Sequence, residues 1–353
     1  MRAVFLPGGR ETVVTEIEAP VPGRDQVRLA MRAAGLCGSD LHMHYRIPPE
    51  NRHGVIFGLI TDPDIVPSHE PAGMVDEVGP GVTHLKVGDR VAVHHMGGCG
   101  HCQECRRGWD INCQNKWGTY GLDKPGAMQD YMVVRARDCV SLPDNVSYAE
   151  GAYYSCGAGT GYLALKRAGL AMGETVAVVG LGPVGLAAAY FATLAGARVV
   201  GIDTLDERRR FAEEQGITIT ANPITDDVPA VLRAATNGHG ADVVVESSGS
   251  SAGRITALDA AAVRGRVVLV GFADDETTID IQKYIIQKQV DVRGAWMFPL
   301  TDLEALLADV SLRGISVERL IPHRYDIDEA GRAWQSFDGG SLGKTVLIWP
   351  EST

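Results

Sequence analysis

The sequence predicts an α/β protein of two domains, a β-rich domain followed by a doubly wound parallel sheet. The chain has 353 residues, which is more than a single hydrophobic core usually serves. Up to about residue 155 it is rich in Gly and Pro, with short β-branched runs, whereas from about Gly157 buried apolar runs alternate with Ala-rich helical stretches. Alternation of the second kind is typical of a parallel sheet with helices on both faces.

The individual elements follow from these runs. Residues 26–30 and 89–93 have the alternating or β-branched character of strands in the first domain. Strands of the second domain are predicted at 175–179, 198–202, 242–246 and 266–270. After Trp296, the pattern predicts helices at 302–311 and around 327–337 and a closing strand at 345–349. This last segment could return to the first domain.

Composition narrows the function. With 45% apolar residues, 22% charged residues and a formal charge of -11, the chain would be repelled by nucleic acids and anionic membranes. It has no run of about 20 apolar residues that could span a bilayer, and its N-terminus lacks the features of a signal peptide. We therefore expect a cytoplasmic protein that acts on small molecules.

Four of the seven cysteines form a C-x2-C-x2-C-x7-C motif, made of Cys99, Cys102, Cys105 and Cys113. In a reducing compartment, metal binding is a better use for such a cluster than disulfides. Four thiolates can close a tetrahedron around zinc and leave no position for substrate, so the expected site is structural. An iron-sulfur cluster is less favoured, because its usual bacterial run is C-x2-C-x2-C-x3-C-P.

A glycine-rich turn follows the run 175–179, with the sequence Gly180-Leu181-Gly182-Pro183-Val184-Gly185. The turn opens a helix, as in dinucleotide-binding folds. There Gly180 would permit the tight turn, Gly182 would let the backbone approach a pyrophosphate, and Gly185 would allow close packing of helix on strand. The N-terminus of the helix would supply oriented N–H groups to the phosphates.

Asp203 ends the next apolar run, about twenty residues after the glycine motif. A carboxylate at this point can accept hydrogen bonds from a ribose diol and would repel a 2′-phosphate, which favours NAD over NADP. Arg208, Arg209 and Arg210 follow it and keep NADP open as an alternative.

Three further clusters carry metal-binding side chains: Cys37-Gly38-Ser39-Asp40-Leu41-His42, Ser68-His69-Glu70 and Ser155-Cys156-Gly157. None is convincing alone. Together, Cys37, His69 and Cys156 make a Cys₂His set, the shell that holds catalytic zinc in alcohol dehydrogenases with a fourth position open for water or substrate.

With these motifs, the chain resembles the zinc-dependent medium-chain dehydrogenase/reductase family, the zinc-containing alcohol dehydrogenases, over essentially its whole length. The resemblance implies a GroES-like catalytic domain at 1–157, with a structural zinc lobe at about 94–116. A Rossmann NAD-binding domain would span 158–295, and residues 296–353 would return to the catalytic domain. One departure is Ser68, which replaces the Gly that usually precedes the His-Glu pair.

The resemblance also implies residue roles. Cys37, His69 and Cys156 would bind catalytic zinc, Glu70 would bind or approach the metal, and Asp40 would orient His69. Ser39 would contact the substrate oxygen, and His42 would pass the proton to solvent. The implied cofactor contacts are Thr160 and Val270-Gly271-Phe272 at the nicotinamide end, and Arg208 and Lys344 at the ribose and pyrophosphate.

The function implied is that of an NAD-dependent zinc alcohol dehydrogenase. It would transfer hydride reversibly between NAD(H) and a secondary alcohol or polyol, or the matching ketone, with a catalytic and a structural zinc ion in each chain. A homodimer or homotetramer is expected. Two alternatives stay open, namely an NADPH-dependent zinc carbonyl reductase and a catalytically inactive NAD-binding homologue.

Overall fold

The computed structural model describes residues 1–51, 54–56, 59–61, 64–236, 238–273, 276–340 and 342–350. The chain forms two compact units. Unit 1 comprises Met1–Gly159 and Phe298–Thr353, and unit 2 comprises Thr160–Met297.

The bounds of the described elements are as follows. The strands are β1 (Arg2–Gly8), β2 (Glu11–Glu16), β3 (Gln26–Gly35), β4 (Gly54–Ile56), β5 (Leu59–Thr61), β6 (Pro71–Val78), β7 (Arg90–Val93), β8 (Met96–Gly97), β9 (Gly118–Thr119), β10 (Tyr131–Arg135), β11 (Cys139–Ser141), β12 (Thr175–Val179), β13 (Arg198–Ile202), β14 (Ile219–Ala221), β15 (Ala241–Glu246), β16 (Ala261–Leu269), β17 (Asp291–Gly294), β18 (His323–Asp326) and β19 (Thr345–Ile348). The α-helices are α1 (Gly38–Asp40), α2 (Gln103–Arg106), α3 (Tyr148–Tyr154), α4 (Gly157–Ala168), α5 (Pro183–Leu194), α6 (Asp206–Glu214), α7 (Val228–Ala235), α8 (Ser251–Ala260), α9 (Leu300–Arg313) and α10 (Ala330–Asp338). Leu41–Tyr45 and Gln282–Ile286 are π-helical turns, and Pro49–Asn51, Asp110–Asn112, Ala136–Asp138, Glu318–Leu320 and Ile327–Glu329 are 3₁₀ turns.

Unit 1 is built on a mainly antiparallel sheet in the order β11-β7-β6-β3-β19-β18, with β10 also pairing with β3. Side chains along β3 alternate between buried and half-buried, as expected for a strand with one face on a core. The core beneath includes Trp334, Met132 and Leu347. Because β19 pairs antiparallel with β3, the C-terminal segment of the chain belongs to the same sheet as the N-terminal segment.

Unit 2 is a parallel sheet in the order β14-β13-β12-β15-β16-β17, the order of a doubly wound dinucleotide-binding fold. The predicted strands at 175–179 and 198–202 have the observed bounds, whereas β16 begins five residues before the predicted start at 266. The inner strands β12, β13, β15 and β16 are largely buried on both faces, as Val200, Val244 and Val267 show, because helices cover a parallel sheet on both sides. The predicted fold class is confirmed.

The two helices predicted after Trp296 are also present. α9 extends the predicted 302–311 at both ends and stops at Gly314, whose left-handed φ of 62° ends the helix. The second predicted helix is divided: a capping box at Asp326 starts a 3₁₀ turn, and α10 follows from Ala330. No helix in the described part of the chain is long and apolar enough to cross a membrane.

Candidate metal and cofactor sites

The four-cysteine motif forms a compact cluster in unit 1. The sulfur atoms of Cys99, Cys102, Cys105 and Cys113 all lie within 4.8 Å of one another. Backbone N–H groups point at them: that of Cys99 donates to Cys113 Sγ at 3.2 Å, and that of Cys102 to Cys99 Sγ at 3.3 Å. Hydrogen bonding with the Cys105 backbone lowers the pKa of Cys102 to about 6. Burial, in contrast, raises the pKa of Cys105 to about 12. Cys102 is therefore more readily deprotonated than Cys105, and the thiolate is the form of cysteine that binds metal.

A second cluster brings together Cys37, His69, Glu70 and Cys156, with one potential ligand atom from each within 4.8 Å of the others. The sheet accounts for the first part of this arrangement. Cys37 follows β3 and the His69-Glu70 pair precedes β6, and the pairing of Ala34 with Pro71 brings those ends together. Cys156 comes from the short connection between α3 and α4.

Ser68, which stands where the family pattern usually has Gly, keeps a backbone conformation that suits glycine. Its φ is 75°, in the left-handed region that favours glycine. The buried hydroxyl donates to Gly35 O at 2.7 Å and accepts from the N–H of Glu70 at 3.4 Å. These bonds hold a non-glycine residue in a strained conformation next to the cluster.

The two cysteines of the second cluster differ in acidity. A hydrogen bond between them lowers the pKa of Cys37 well below its ordinary value and raises that of Cys156. His69 and the Lys344 ammonium lower the pKa of Cys37 further. Cys37 is therefore the more acidic thiol of the pair.

His69 is held by two partners. Its Nδ1 lies 3.2 Å from Asp40 Oδ1, and its Nε2 lies 3.3 Å from Ser39 Oγ. Ser39 Oγ also donates to Cys37 Sγ at 3.2 Å. Burial opposes protonation of His69, but Asp40 and Cys37 together outweigh it and raise its pKa. Asp40 and Ser39 thus both lie within hydrogen-bond distance of the His69 ring.

Lys344 lies in a different environment from the one expected for a cofactor contact. It is 1% exposed, its ammonium forms a very short ion pair with Glu70, and it donates to Leu36 O at 2.6 Å. Burial disfavours its charge, but the Glu70 carboxylate and the neighbouring thiols outweigh it and raise the pKa of Lys344. Both described bonds of the Lys344 ammonium go to protein groups beside the cysteine and histidine cluster, and its contact with ribose or pyrophosphate stays a prediction.

Glu70 is the carboxylic acid of this four-residue cluster, and it is fully buried, with an exposure of 0%. Burial raises its pKa to about 8, against the opposing attraction of Lys344. Its Oε1 has no hydrogen-bond partner among the described residues. An unpartnered buried carboxylate oxygen calls for a ligand or an ion.

His95 is a neighbour that sequence reasoning left without a role. Its ring lies 4.7 Å from that of His69, and it is 3% exposed. Burial, then His69 and His94, lowers its pKa well below the ordinary value. The sequence offered only a weak signal, since the adjacent His94 and His95 follow the buried strand β7.

In unit 2, the three glycines of the turn differ in what surrounds them. Gly180 has a φ of 89°, which a tight turn requires of glycine. A Cβ on Gly185 would lie 1.8 Å from Gly180 O, whereas one on Gly182 would meet only Arg208 Nη1, at 4.0 Å. Gly185 is thus needed for packing, and Gly182 leaves open space at the N-terminus of α5, where Pro183 and Val184 begin the helix.

Asp203 is 6% exposed and ties the end of β13 to this turn. Its Oδ2 accepts from the N–H of Leu181 at 2.7 Å, and its Oδ1 from that of Leu205 at 2.9 Å. Arg208 Nη1 lies 3.6 Å from Asp203 Oδ2. Each carboxylate oxygen can accept a further hydrogen bond, so the position still suits a ribose diol.

The residues expected at the nicotinamide end lie in two places within unit 2. Val270 and Gly271 leave the carboxyl end of β16 and donate their N–H groups to Glu246 O at 2.8 and 2.9 Å. Phe272 is 46% exposed and stacks on Trp296. Thr160, near the start of α4, is buried and donates to Met297 Sδ at 3.8 Å.

Comparison with known proteins decides the family. The alcohol dehydrogenase GroES-like domain matches residues 23–144, and the zinc-binding dehydrogenase domain matches residues 183–311. An uncharacterized zinc-type alcohol dehydrogenase-like protein of Escherichia coli (strain K12), YphC, is 34% identical over 99% of both chains. The chain belongs to the zinc-dependent medium-chain dehydrogenase/reductase family. It is thus an oxidoreductase of the zinc-type alcohol dehydrogenases, with a GroES-like domain and a Rossmann-type sheet.

Two further relatives lie within this family. The 2-dehydro-3-deoxy-L-galactonate 5-dehydrogenase of Pseudoalteromonas atlantica (strain T6c) is 30% identical over 99% of this chain and 98% of its own. The solved structure of alcohol dehydrogenase TADH from Thermus sp. ATN1 superposes with a TM-score of 0.87 and 29% identity, over 99% of each chain. The similarity to zinc-type alcohol dehydrogenases therefore extends through both units.

Proposed function

We propose that this member of the zinc alcohol dehydrogenases oxidises a secondary alcohol or polyol with NAD⁺, reversibly, using one catalytic and one structural zinc ion per chain. The observation that carries the proposal is the cluster of Cys37, His69, Cys156 and Glu70. A catalytically inactive homologue would have no need for this donor set, nor for the Ser39 hydroxyl beside it.

The donor sets fit their proposed metals. Cys99, Cys102, Cys105 and Cys113 would hold a structural zinc ion, because a full sulfur shell leaves no position for substrate. Cys37, His69 and Cys156 supply three ligands, and the unpartnered oxygen of Glu70 adds a fourth potential donor. Zinc held there would act as a Lewis acid that makes the hydroxyl of a bound alcohol easier to deprotonate.

The neighbouring side chains would position this site and move its proton. Asp40 accepts from His69 Nδ1 and so turns the other ring nitrogen toward the cluster. Ser39 Oγ, within 3.3 Å of His69 Nε2, is placed to take the proton from an alcohol oxygen. His42 is exposed and would pass that proton on to water.

Residues of unit 2 would bind the dinucleotide, which supplies the hydride acceptor. Gly180, Gly182 and Gly185, with the first turn of α5, form a cradle that a Cβ at Gly182 would narrow. Thr160 and residues 270–272 would face the nicotinamide end of the dinucleotide. We propose 158–295 as the cofactor domain, and 1–157 with 296–353 as the catalytic domain.

Asp203 supports NAD as the preferred cofactor, because a 2′-phosphate would meet its charge. Arg208 Nη1 lies 3.6 Å from Asp203 Oδ2. Its positive charge would attract a 2′-phosphate, so Arg208 favours the alternative function, an NADPH-dependent carbonyl reductase. A polyol or another secondary alcohol is proposed as substrate because a relative with 30% identity is named as a sugar-acid 5-dehydrogenase.

The test is the absorbance of reduced nicotinamide during incubation of zinc-loaded enzyme with NAD⁺ or NADP⁺ and a panel of polyols, sugar acids and simple secondary alcohols. We expect turnover with NAD⁺, and roughly a hundredfold lower kcat in S39A. S141A is the matched control, because Ser141 is exposed on β11 of the same unit. Preference for NADP⁺ would overturn the role of Asp203, and equal rates in S39A and wild type would overturn the relay.

A further inference from the structure

The helical turn that carries His42 lies beside a cluster of two arginines and one acid. Arg46 closes the turn Leu41–Tyr45 by donating its backbone N–H to Leu41 O at 2.8 Å. It is four residues beyond His42, so the two side chains leave neighbouring positions of the same turn. The Arg46 guanidinium forms a very short ion pair with Asp338, the last residue of α10.

Asp338 also binds a second arginine. Arg10 Nε donates to its other carboxylate oxygen at 2.8 Å. The backbone N–H of Arg10 donates to Tyr45 O at 2.8 Å, which fixes the β1–β2 turn against the turn that carries His42. The Asp338 side chain is 15% exposed, compared with 63% for Arg10 and 37% for Arg46. A mostly buried acid between two arginines thus holds the Arg46 charge in one place.

This placement has an electrostatic consequence for His42. Burial lowers the pKa of His42, and the Arg46 charge lowers it further, while Cys37 and Asp338 act in the opposite direction. Tyr45 on the same turn stays protonated, because burial and then Asp338 raise its pKa. The positive charge of Arg46 therefore lowers the pKa of His42, whereas the acidic groups of Cys37 and Asp338 raise it.

We propose that Arg46, fixed by Asp338, is a positioning residue that holds a cation beside His42, opposes a second positive charge on that ring and so keeps the ring ready to accept a proton. The inference rests on the proposed function, since Arg46 acts through His42 and has no assigned contact with substrate or cofactor. The neutral imidazole of His42 would accept the proton released by alcohol oxidation, and the imidazolium would then return it to water.

The first test measures His42 directly in the full zinc-loaded chain. Diethyl pyrocarbonate acylates only neutral imidazole, so its rate at His42, followed by peptide mass spectrometry across pH, gives the titration midpoint. We expect R46Q to shift the midpoint to higher pH and to slow labelling roughly twofold or more below it. R46K should stay close to wild type because it keeps the charge.

R10Q is the matched control. It removes the other arginine bound to Asp338 but leaves Arg46 in place, so the His42 midpoint should stay near that of wild type. The exposed His239 of unit 2 should label alike in every variant, which reports an intact fold. Equal shifts in R10Q and R46Q, or no shift in R46Q, would overturn the proposal.

The pH profile of kcat/KM then separates this inference from the proposed function. Protonated His42 cannot accept a proton, so the acid limb for alcohol oxidation should move to higher pH in R46Q and be restored in R46K. A shifted labelling midpoint with an unshifted acid limb would show that the effect of Arg46 on His42 does not reach the reaction and would overturn the proposal. Absence of turnover in every variant and in wild type would instead count against the proposed function, while the labelling still reports on Arg46.

Discussion

At the scale of single residues, the second metal cluster depends on hydrogen bonds that hold its ligands in place. Asp40 is fully buried, and its Oδ1 lies 3.2 Å from His69 Nδ1. Carboxylates in this position orient a ligating imidazole and raise its basicity. The proposed catalytic zinc site thus includes Asp40, which would not bind the metal itself but holds the ligand His69 in place.

We predict that D40N weakens zinc binding at this cluster by about tenfold or more, because asparagine can still accept the hydrogen bond but lacks the charge. The measurement is zinc titration into metal-depleted enzyme against a chromophoric chelator. D76N is the control, since Asp76 on β6 pairs with Arg28 away from the cluster. Equal affinities in D40N and wild type would show that His69 does not depend on Asp40.

The individual residues also show which parts of the candidate site could be predicted from the sequence. The spacing of the four cysteines predicted the first cluster, because ligands so close in sequence can meet without remote elements. No spacing joins Cys37, His69 and Cys156; they were grouped because they make a Cys₂His donor set, and the family resemblance implied Glu70 beside them.

The sequence could not place Lys344 against Glu70, since a lone lysine far along the chain carries no local pattern and the contact depends on β19 pairing with β3. The closeness of His95 to His69 depends in the same way on tertiary packing.

At the scale of elements, β12, β13, β15 and the later part of β16 were predictable because each is a short apolar run that helices bury on both faces. The outer strands β14 and β17 were not predicted, because they are short and their side chains are largely half-buried or exposed. The start of β16 was missed because the segment before the predicted start includes the exposed Val263 and Arg264, the latter with a left-handed φ of 64°. Packing of the N-terminal part of β16 against β15, where Ala241 pairs with Ala261, overrides the local pattern.

β17 also bears on assembly, because it is the last strand of the sheet and pairs only with β16 in the part of the chain that the structure describes. It carries Val292, which is 41% exposed, and exposed Ile286 precedes it. An open strand edge presents unpaired N–H and C=O groups that can pair with another chain. The homodimer expected from the sequence can therefore be tested at this edge.

We predict that V292K shifts the enzyme toward smaller species in sedimentation velocity, because a lysine on an edge strand opposes association. I224K is the control, since Ile224 is 77% exposed in a loop of the same unit. A monomeric wild type, or identical profiles for wild type and V292K, would contradict an interface at β17.

At the scale of the whole molecule, the two units divide the proposed chemistry between them. Unit 1 carries both clusters proposed to bind zinc, and unit 2 carries the glycine-rich turn with Asp203. The sequence predicted this division from a change in texture near Gly157, but the identity of the alcohol has no comparable signal, because specificity depends on the shape of loops.

The most direct test of the account is the ratio of zinc to protein in wild type and in the double variant C37S/C156S. We predict two zinc ions per chain in wild type and one in the variant, with an unchanged circular dichroism spectrum, because the four-cysteine cluster would keep its own ion. The variant C102S/C113S should lose the other ion. The same ratio in wild type and C37S/C156S would contradict the claim that Cys37, His69 and Cys156 hold the catalytic zinc.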